Sequence, residues 1–270
     1  MKNNEVTQIV LISGLINIHK WSKDFIRTLV DTWGSENVFI VYTNKGTKVK
    51  KHNLNGKIYY SIGPNNYRSG ADSVREQADR VSKKIRILQE NYGLKQHFHI
   101  IGHSMGGLVA RQFIYDNPNT VHSLVALGTP NHGSPLANFY KWLSYIIGAK
   151  KAFDNLTPEW VKEFNERCPL EKAPLYQNGK IYTVRGYTPR NPLKNIGVIG
   201  EVFFAWLTLR YIYKVKSDGL VPEDSVLAKG AEHLVDFPNY HHLHLARRSD
   251  VAKIASSALL NSSNQSAQVK

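Results

Sequence analysis

The run Gly102-His103-Ser104-Met105-Gly106-Gly107 constrains this chain more than any other feature. An apolar, β-rich stretch, His97-Phe98-His99-Ile100-Ile101, precedes it, and a helix-like run from Leu108 to Ile114 follows. A G-x-S-x-G between a strand and a helix predicts a sharp corner with the serine in strained backbone at its apex. The hydroxyl then projects from the end of a sheet. The helix beyond it points its first amides and positive dipole end at the same spot. Glycines suit both sides, because a Cβ would collide as strand and helix close on one another. Ser104 is therefore the candidate nucleophile.

The chain around this corner alternates two periodicities, which predicts a largely parallel sheet covered on both faces. Strands are expected at residues 8–12, 37–43, 97–101, 121–127 and 181–186. Helical spacing is clear over 22–33, where Phe25, Ile26, Leu29 and Val30 share a face, and over 71–91. A final helix is expected over 249–260, then a polar tail that becomes disordered at 265–270. At 270 residues, one α/β domain spanning 1–270 with sizeable insertions is the natural size.

The pattern changes between about 134 and 216. Two apolar, aromatic-rich stretches, 136–147 and 196–213, are edged by Lys141, Lys150, Lys151, Lys194, Lys214 and Lys216. The second contains Glu201 and Arg210, which argues against a transmembrane helix. Both read as helical cap or lid insertions, at about 134–180 and 188–216, above the corner.

Composition narrows the partners. One cysteine, Cys168, excludes an internal disulfide framework and the usual zinc–thiolate sites. No apolar leader with a small-residue cleavage site is visible, so a cytoplasmic or peripherally membrane-associated protein is expected unless a leader has been removed. The net charge of +14 offers attraction to anionic membranes. No zinc-finger, RNA-recognition or basic-helix signature accompanies it, so no nucleic acid is expected.

A serine hydroxyl needs a histidine base and a carboxylate that orients it, following in the order Ser, Asp or Glu, His. The best acid is Asp218, in the turn Lys216-Ser217-Asp218-Gly219-Leu220-Val221-Pro222; Asp224 and Asp236 compete. The base lies in Tyr240-His241-His242-Leu243-His244-Leu245, where three histidines crowd four positions. Composition does not choose among them. A metal site at these three would lack acidic or cysteine companions. His103, inside the corner, reads as a packing residue. Two amides must hold the developing oxyanion. One belongs to Met105, and the other to Leu15, after the bend at Gly14.

Taken together, Ile12-Ser13-Gly14-Leu15, the elbow G-H-S-M-G-G-L-V-A-R, and T-P-N-H-G-S-P-L-A at 129–137 resemble a bacterial triacylglycerol lipase or esterase. The cap run at 156–165, S-D-G-L-V-P and the histidine segment extend the resemblance to the α/β-hydrolase superfamily over most of the chain. It implies an α/β-hydrolase fold, a mostly parallel central sheet flanked by helices with an inserted cap. It implies His242 as the base, since Leu245 stands three places on and Val251 nine. Two departures stand out. Ser13 replaces the family's usual histidine before Gly14. His244 occupies the place of the aspartate found in calcium-dependent lipases, so no metal or cofactor is expected.

The expected activity is cleavage of acyl or lipid esters through an acyl-enzyme on Ser104, with Asp218 and His242 as partners and Leu15 and Met105 as amide donors. Two alternatives stand beside it. One is a membrane-surface acyltransferase or thioesterase on the same fold; the other is an inert basic module that binds lipid or nucleic acid.

Overall fold

Eight strands lie in the order β3-β4-β2-β1-β5-β6-β7-β8 in a computed structural model that describes residues 6–15, 21–66, 69–188 and 202–268. They are β1 (Ile9–Ser13), β2 (Val38–Val41), β3 (Val49–Leu54), β4 (Lys57–Ile62), β5 (Phe98–His103), β6 (Val121–Leu127), β7 (Ile181–Tyr187) and β8 (Glu232–Pro238). Every neighbouring pair is parallel except β3–β4. The central strands β1, β2, β5 and β6 are buried along their whole length, as their unbroken apolar runs require when helices cover both faces.

Period-two alternation sends the β1 side chains to two separate cores. Val10 and Ile12 pack with α2 (Val74–Asn91) and α3 (Met105–Asp116), while Ile9 and Leu11 pack with α1 (Lys23–Trp33) and the C-terminal helix. Both early helices begin where their sequences supply a cap. Ser22 accepts from the Phe25 amide, and Ser73 and Glu76 form a reciprocal capping box. This is the doubly wound, mostly parallel α/β architecture expected from the sequence.

The strand order reverses between β1 and β5. The chain leaves β1 for β2 on one side and returns at β5 on the other, with Ser13 in register with His103. Beyond their carboxyl ends the loops diverge and leave a crevice, the usual ligand position in an open α/β sheet. The bend at Gly14 and the turn at Ser104 therefore face each other for a topological reason.

Several segments differ from expectation. The hairpin β3–β4 appears where the sequence shows a lysine cluster; its turn is Asn55-Gly56, with both φ angles positive (54° and 80°), the signal for a tight hairpin. Strand β8 forms the other edge and is mostly exposed, so its sequence lacks a clean apolar alternation. The first cap stretch breaks into short helices, α4 (Leu136–Phe139), α5 (Lys141–Ile146) and α6 (Lys150–Asp154), followed by α7 (Pro158–Arg167). Of the second stretch, residues 196–201 lie outside the described residues; the remainder forms α8 (Phe203–Leu207) and a π-turn, Thr208–Ile212. A short helix, α9 (Glu223–Val226), precedes β8. The last helix, α10, runs Ser249–Gln268, so residues 265–268 continue the helix where a disordered tail was expected.

Candidate active site

Ser104 sits between β5 and α3 with φ 57° and ψ −134°, a conformation that L-residues reach only under strain. Its amide donates to the Leu127 carbonyl at 2.9 Å, and its carbonyl accepts from Gly107 N and Thr129 Oγ1, each at 3.0 Å. The flanking glycines leave no room for alternatives. A Cβ on Gly102 would lie 2.7 Å from Gly107 Cα, and one on Gly106 would overlap the Ile12 carbonyl. The strand, the serine and the helix are thus locked into one corner.

Asp218 and His242 meet beside it. His242 Nδ1 lies 2.6 Å from Asp218 Oδ2, and the His242 amide donates to the Asp218 carbonyl at 2.8 Å. Both side chains are buried. The other carboxylate oxygen, Oδ1, accepts from the amides of Leu220 (3.0 Å) and Val221 (2.8 Å), a turn the sequence S-D-G-L-V builds locally. His242 Nδ1 is thus the ring nitrogen that faces the carboxylate, and Nε2 is the one turned away from it. Gly128 makes space for the pair. With φ +56°, its missing Cβ would stand 3.1 Å from Asp218 Oδ2 and 3.2 Å from His242 Nδ1.

The competing residues are occupied elsewhere. Asp236 receives Arg185 Nε and a terminal guanidinium nitrogen, each at 2.7 Å, and pairs with His233; Asp224 is exposed on α9. His241 accepts from the Leu243 amide through Nδ1, and burial, then the neighbouring His244 and His242, holds its pKa at about 3. His103 packs its ring 4.7 Å from that of His242, with Nε2 2.9 Å from the His242 carbonyl. It buttresses the loop, as a packing residue would. His242 is followed by a tight turn whose Leu245, with Val251 on α10, is fully buried in the core under β6. That anchoring gives a physical reason for the apolar spacing noted in the sequence.

Ser104, His242 and Leu15 open onto one cavity of about 530 Å³. Leu136, Leu143, Phe153 and Leu156 line it from the first cap, and Val202 and Phe203 from the second. Ser134 and Tyr140 are the main polar groups in its upper wall. The loop carrying Leu15 presses on the start of α3, since a Cβ on Gly14 would lie 2.7 Å from the Met105 amide nitrogen. Met105 is the first residue of α3, so its amide has no carbonyl ahead of it in the helix. The Leu15 loop and the Met105 amide therefore flank the turn at Ser104. Ser13, the residue noted above as a departure from the family pattern, is buried, with no hydrogen bond to its hydroxyl among the described residues.

Residues 129–137, whose role the sequence left open, act as a junction. Thr129 fills the space that a Cβ on Gly107 would take. Asn131 Nδ2 donates to Val226 O (2.9 Å), and Asn131 O accepts from Asn165 of α7 (2.8 Å). Ser225 Oγ donates to Gly133 O (2.6 Å), while Ser134 Oγ donates to Leu220 O (2.9 Å). The run thus ties the Ser104 turn, the Asp218 loop and the segments over the cavity together. Among the described residues no group of three or more His, Cys, Asp or Glu side chains is placed to hold a metal ion.

The family described as PGAP1-like alpha/beta domain matches residues 22–181, more than half of the chain. The chain belongs to that family. A triacylglycerol lipase of Pseudomonas fragi is 36% identical over 80 residues, 30% of this chain; the match spans only 27% of that enzyme's length. Among solved structures, the mature lipase BlEst2 of Bacillus licheniformis superposes with a TM-score of 0.65 at 20% identity, covering 96% of this chain and 93% of that one. EstA from Clostridium botulinum does so at 0.62 and 13% identity, over 97% and 88%. The fold of this PGAP1-like domain is that of the α/β hydrolases. Its antiparallel β3–β4 edge completes an eight-stranded sheet.

Proposed function

We propose that this PGAP1-like domain is a serine carboxylic-ester hydrolase, a lipase or carboxylesterase acting on acyl esters. The observation that carries the reading is that His242, 2.6 Å from Asp218, lines the same apolar cavity as the strained Ser104. In this mechanism His242 Nε2 takes the Ser104 proton as Oγ attacks the ester carbonyl. The amides of Leu15 and Met105 receive the oxyanion. The alcohol leaves with the proton held by His242, and an acyl-enzyme remains on Ser104. Water, deprotonated by His242, then attacks that acyl-enzyme and releases the acid. Asp218 fixes the tautomer throughout and stabilises the imidazolium. The apolar lining favours a lipid or medium-chain acyl group, and the basic surface favours meeting it at an anionic membrane.

Initial rates across esters from acetyl to long-chain acyl, below and above micelle formation, test the reading. Hydrolysis that disappears in Ser104→Ala supports it, together with fluorophosphonate labelling of the wild type; hydrolysis intact in Ser104→Ala overturns the mechanism. A short-chain optimum without an interfacial rise in rate assigns an esterase rather than a lipase. Added alcohol that diverts the acyl group assigns a transferase, and an optimum on thioesters assigns a thioesterase. Absence of labelling and turnover, with steeply salt-dependent binding, assigns the inert module.

A further inference from the structure

Large hydrophobic side chains rarely lie open to water in clusters unless something covers them. Among the described residues of this protein, all but Tyr92 of the exposed large hydrophobics fall on the two cap segments. Trp142 (61% exposed), Tyr145 and Ile146 (72%) project from α5 and its neighbourhood; Phe204 (76%), Tyr211 and Ile212 project from α8 and the π-turn. The two segments touch. Tyr140 Oη lies 2.8 Å from Thr208 Oγ1, and the Phe139 and Tyr213 rings meet edge to face with centroids 6.3 Å apart. They therefore present one face, directly above the walls of the candidate acyl cavity, to which they contribute Tyr140, Leu143 and Phe203.

Within these two segments the charged side chains are all basic. Residues 134–153 carry Lys141, Lys150 and Lys151 and no acid; residues 202–217 carry Arg210, Lys214 and Lys216 and no acid. The first three lysines are matched at the margin by Asp154 and Glu76. Arg210, Lys214 and Lys216 are in no ion pair among the described residues. Arg210 and Lys216 also edge a second cavity of about 510 Å³, with Thr188, Ser217 and Asn239. The cation in its lining that does have a partner, Arg185, is held by Asp236, which leaves Glu223 as the remaining acid against two unpaired cations. The cavity thus offers hydroxyls, an amide and cationic side chains to a phosphodiester.

We propose that the face formed by residues 139–146 and 204–216 docks on a bilayer of anionic phospholipid, with Arg210 and Lys216 taking lipid phosphate. Trp and Tyr side chains suit the headgroup boundary, Ile146 and Phe204 suit the acyl layer, and the cations at the rim meet the anionic surface. A second copy of the chain fits poorly, because the cations Arg210, Lys214 and Lys216, which lack ion pairs among the described residues, would meet the same cations of the other copy. Among the described residues no helix is long and apolar enough to cross a membrane, so the contact is one of lying on the surface. The proposal rests on the ester-hydrolase reading, since a lipid ester is what the cavity beneath this face would take.

Full-length Ser104→Ala protein, which leaves the lipid intact, is sedimented with vesicles of phosphatidylcholine alone and of phosphatidylcholine mixed with phosphatidylglycerol. Binding is expected on the mixed vesicles, much weaker on phosphatidylcholine, and reduced by salt. Arg210→Gln with Lys216→Gln should lose about fivefold in affinity per cation on mixed vesicles only. Trp142→Ser with Ile146→Ser should weaken binding to both. Melting curves confirm that the variants fold. Equal binding to the two compositions, no effect of either pair, or self-association without vesicles overturns the proposal. Wild-type turnover of a water-soluble butyryl ester is measured in parallel. Vesicle binding without turnover sinks the hydrolase reading alone, and turnover without binding sinks the docking face alone.

Discussion

Acid should unfold this protein unusually early, through three histidines that take no part in the proposed chemistry except as scaffold. His99, His122 and His241 are buried, and burial is the leading cause that pulls them to about 3, about 4 and about 3 from 6.5. His122, its ring centroid 5.0 Å from that of His99, also disfavours charge on His99, and His97 disfavours charge on His122. In the unfolded chain each titrates near about 6.5. Between those values the unfolded chain binds protons that the folded chain refuses. The stability they contribute is therefore whole above pH ~6.5 and is lost as pH falls towards the folded values. At pH ~5 the loss is about 1.5 pH units at about 1.36 kcal/mol each, or about 2 kcal/mol per histidine and about 6 kcal/mol for three. That is comparable with the roughly 5–15 kcal/mol that a domain possesses. Urea unfolding followed by tryptophan fluorescence, in steps from pH ~7.5 to ~5, should give a slope approaching about 4 kcal/mol per pH unit near the acid end. Glu76, held down to about 2 mainly by Lys151, acts below that window, and Lys84 acts above it. His99→Gln keeps a polar partner for Ser263 Oγ and should lower the slope by about 1.4 kcal/mol per pH unit. A stability that stays flat from neutral to pH ~5, or a His99→Gln slope equal to wild type, would refute this reasoning.

Three further outcomes are expected. Asp218→Asn can donate as well as accept, so it no longer fixes the His242 tautomer; kcat on a soluble ester should fall by about 10³–10⁴ with little change in fold, and a loss under tenfold would contradict the assigned role. Gly14→Ala places a Cβ 2.7 Å from the Met105 amide nitrogen and should displace the oxyanion donors, lowering kcat by about 10²–10³ with KM nearly constant. A change confined to KM would point instead to the cavity. Lys84, buried and lowered to about 7 chiefly by desolvation, should make stability rise with pH between about 7 and 10.5 by about 1.4 kcal/mol per unit. Lys84→Met should remove that rise between pH ~7.5 and ~9, and an unchanged slope counts against it.

The central sheet was legible because its strands are short apolar runs between amphipathic helices, and buried parallel strands leave little else to read. The corner at Ser104 was legible because close packing dictates its glycines. Asp218 ranks first in sequence because a tight S-D-G turn presents an acid at a loop tip; the structure adds the Leu220 and Val221 amides that hold it, and the pairing of Asp236 with Arg185. The choice among His241, His242 and His244 depended on resemblance, since the distinction lies in which ring reaches a residue 24 positions away. The lysines of the β3–β4 hairpin hide its strand pattern, and Asn55-Gly56 is the one local signal that marks it. The cap resisted reading for another reason. Its short helices answer to the cavity and to each other rather than to a continuous core face, so no sustained period appears.

The junction at residues 129–137 bears on how such a cap could be exchanged. Ser134 holds Leu220, whose amide in turn holds Asp218, while Asn131 and Gly133 hold the Val226 end of the same loop. A chimera cut at the visible start of the cap would sever that stitching and leave a foreign lid over an acid loop that had lost its braces. A graft that preserves turnover would have to carry two separate pieces, the junction with its cap and residues 218–226. Substrate range in this scaffold therefore travels as a discontinuous unit, and inheriting a new lid means inheriting the far loop with it.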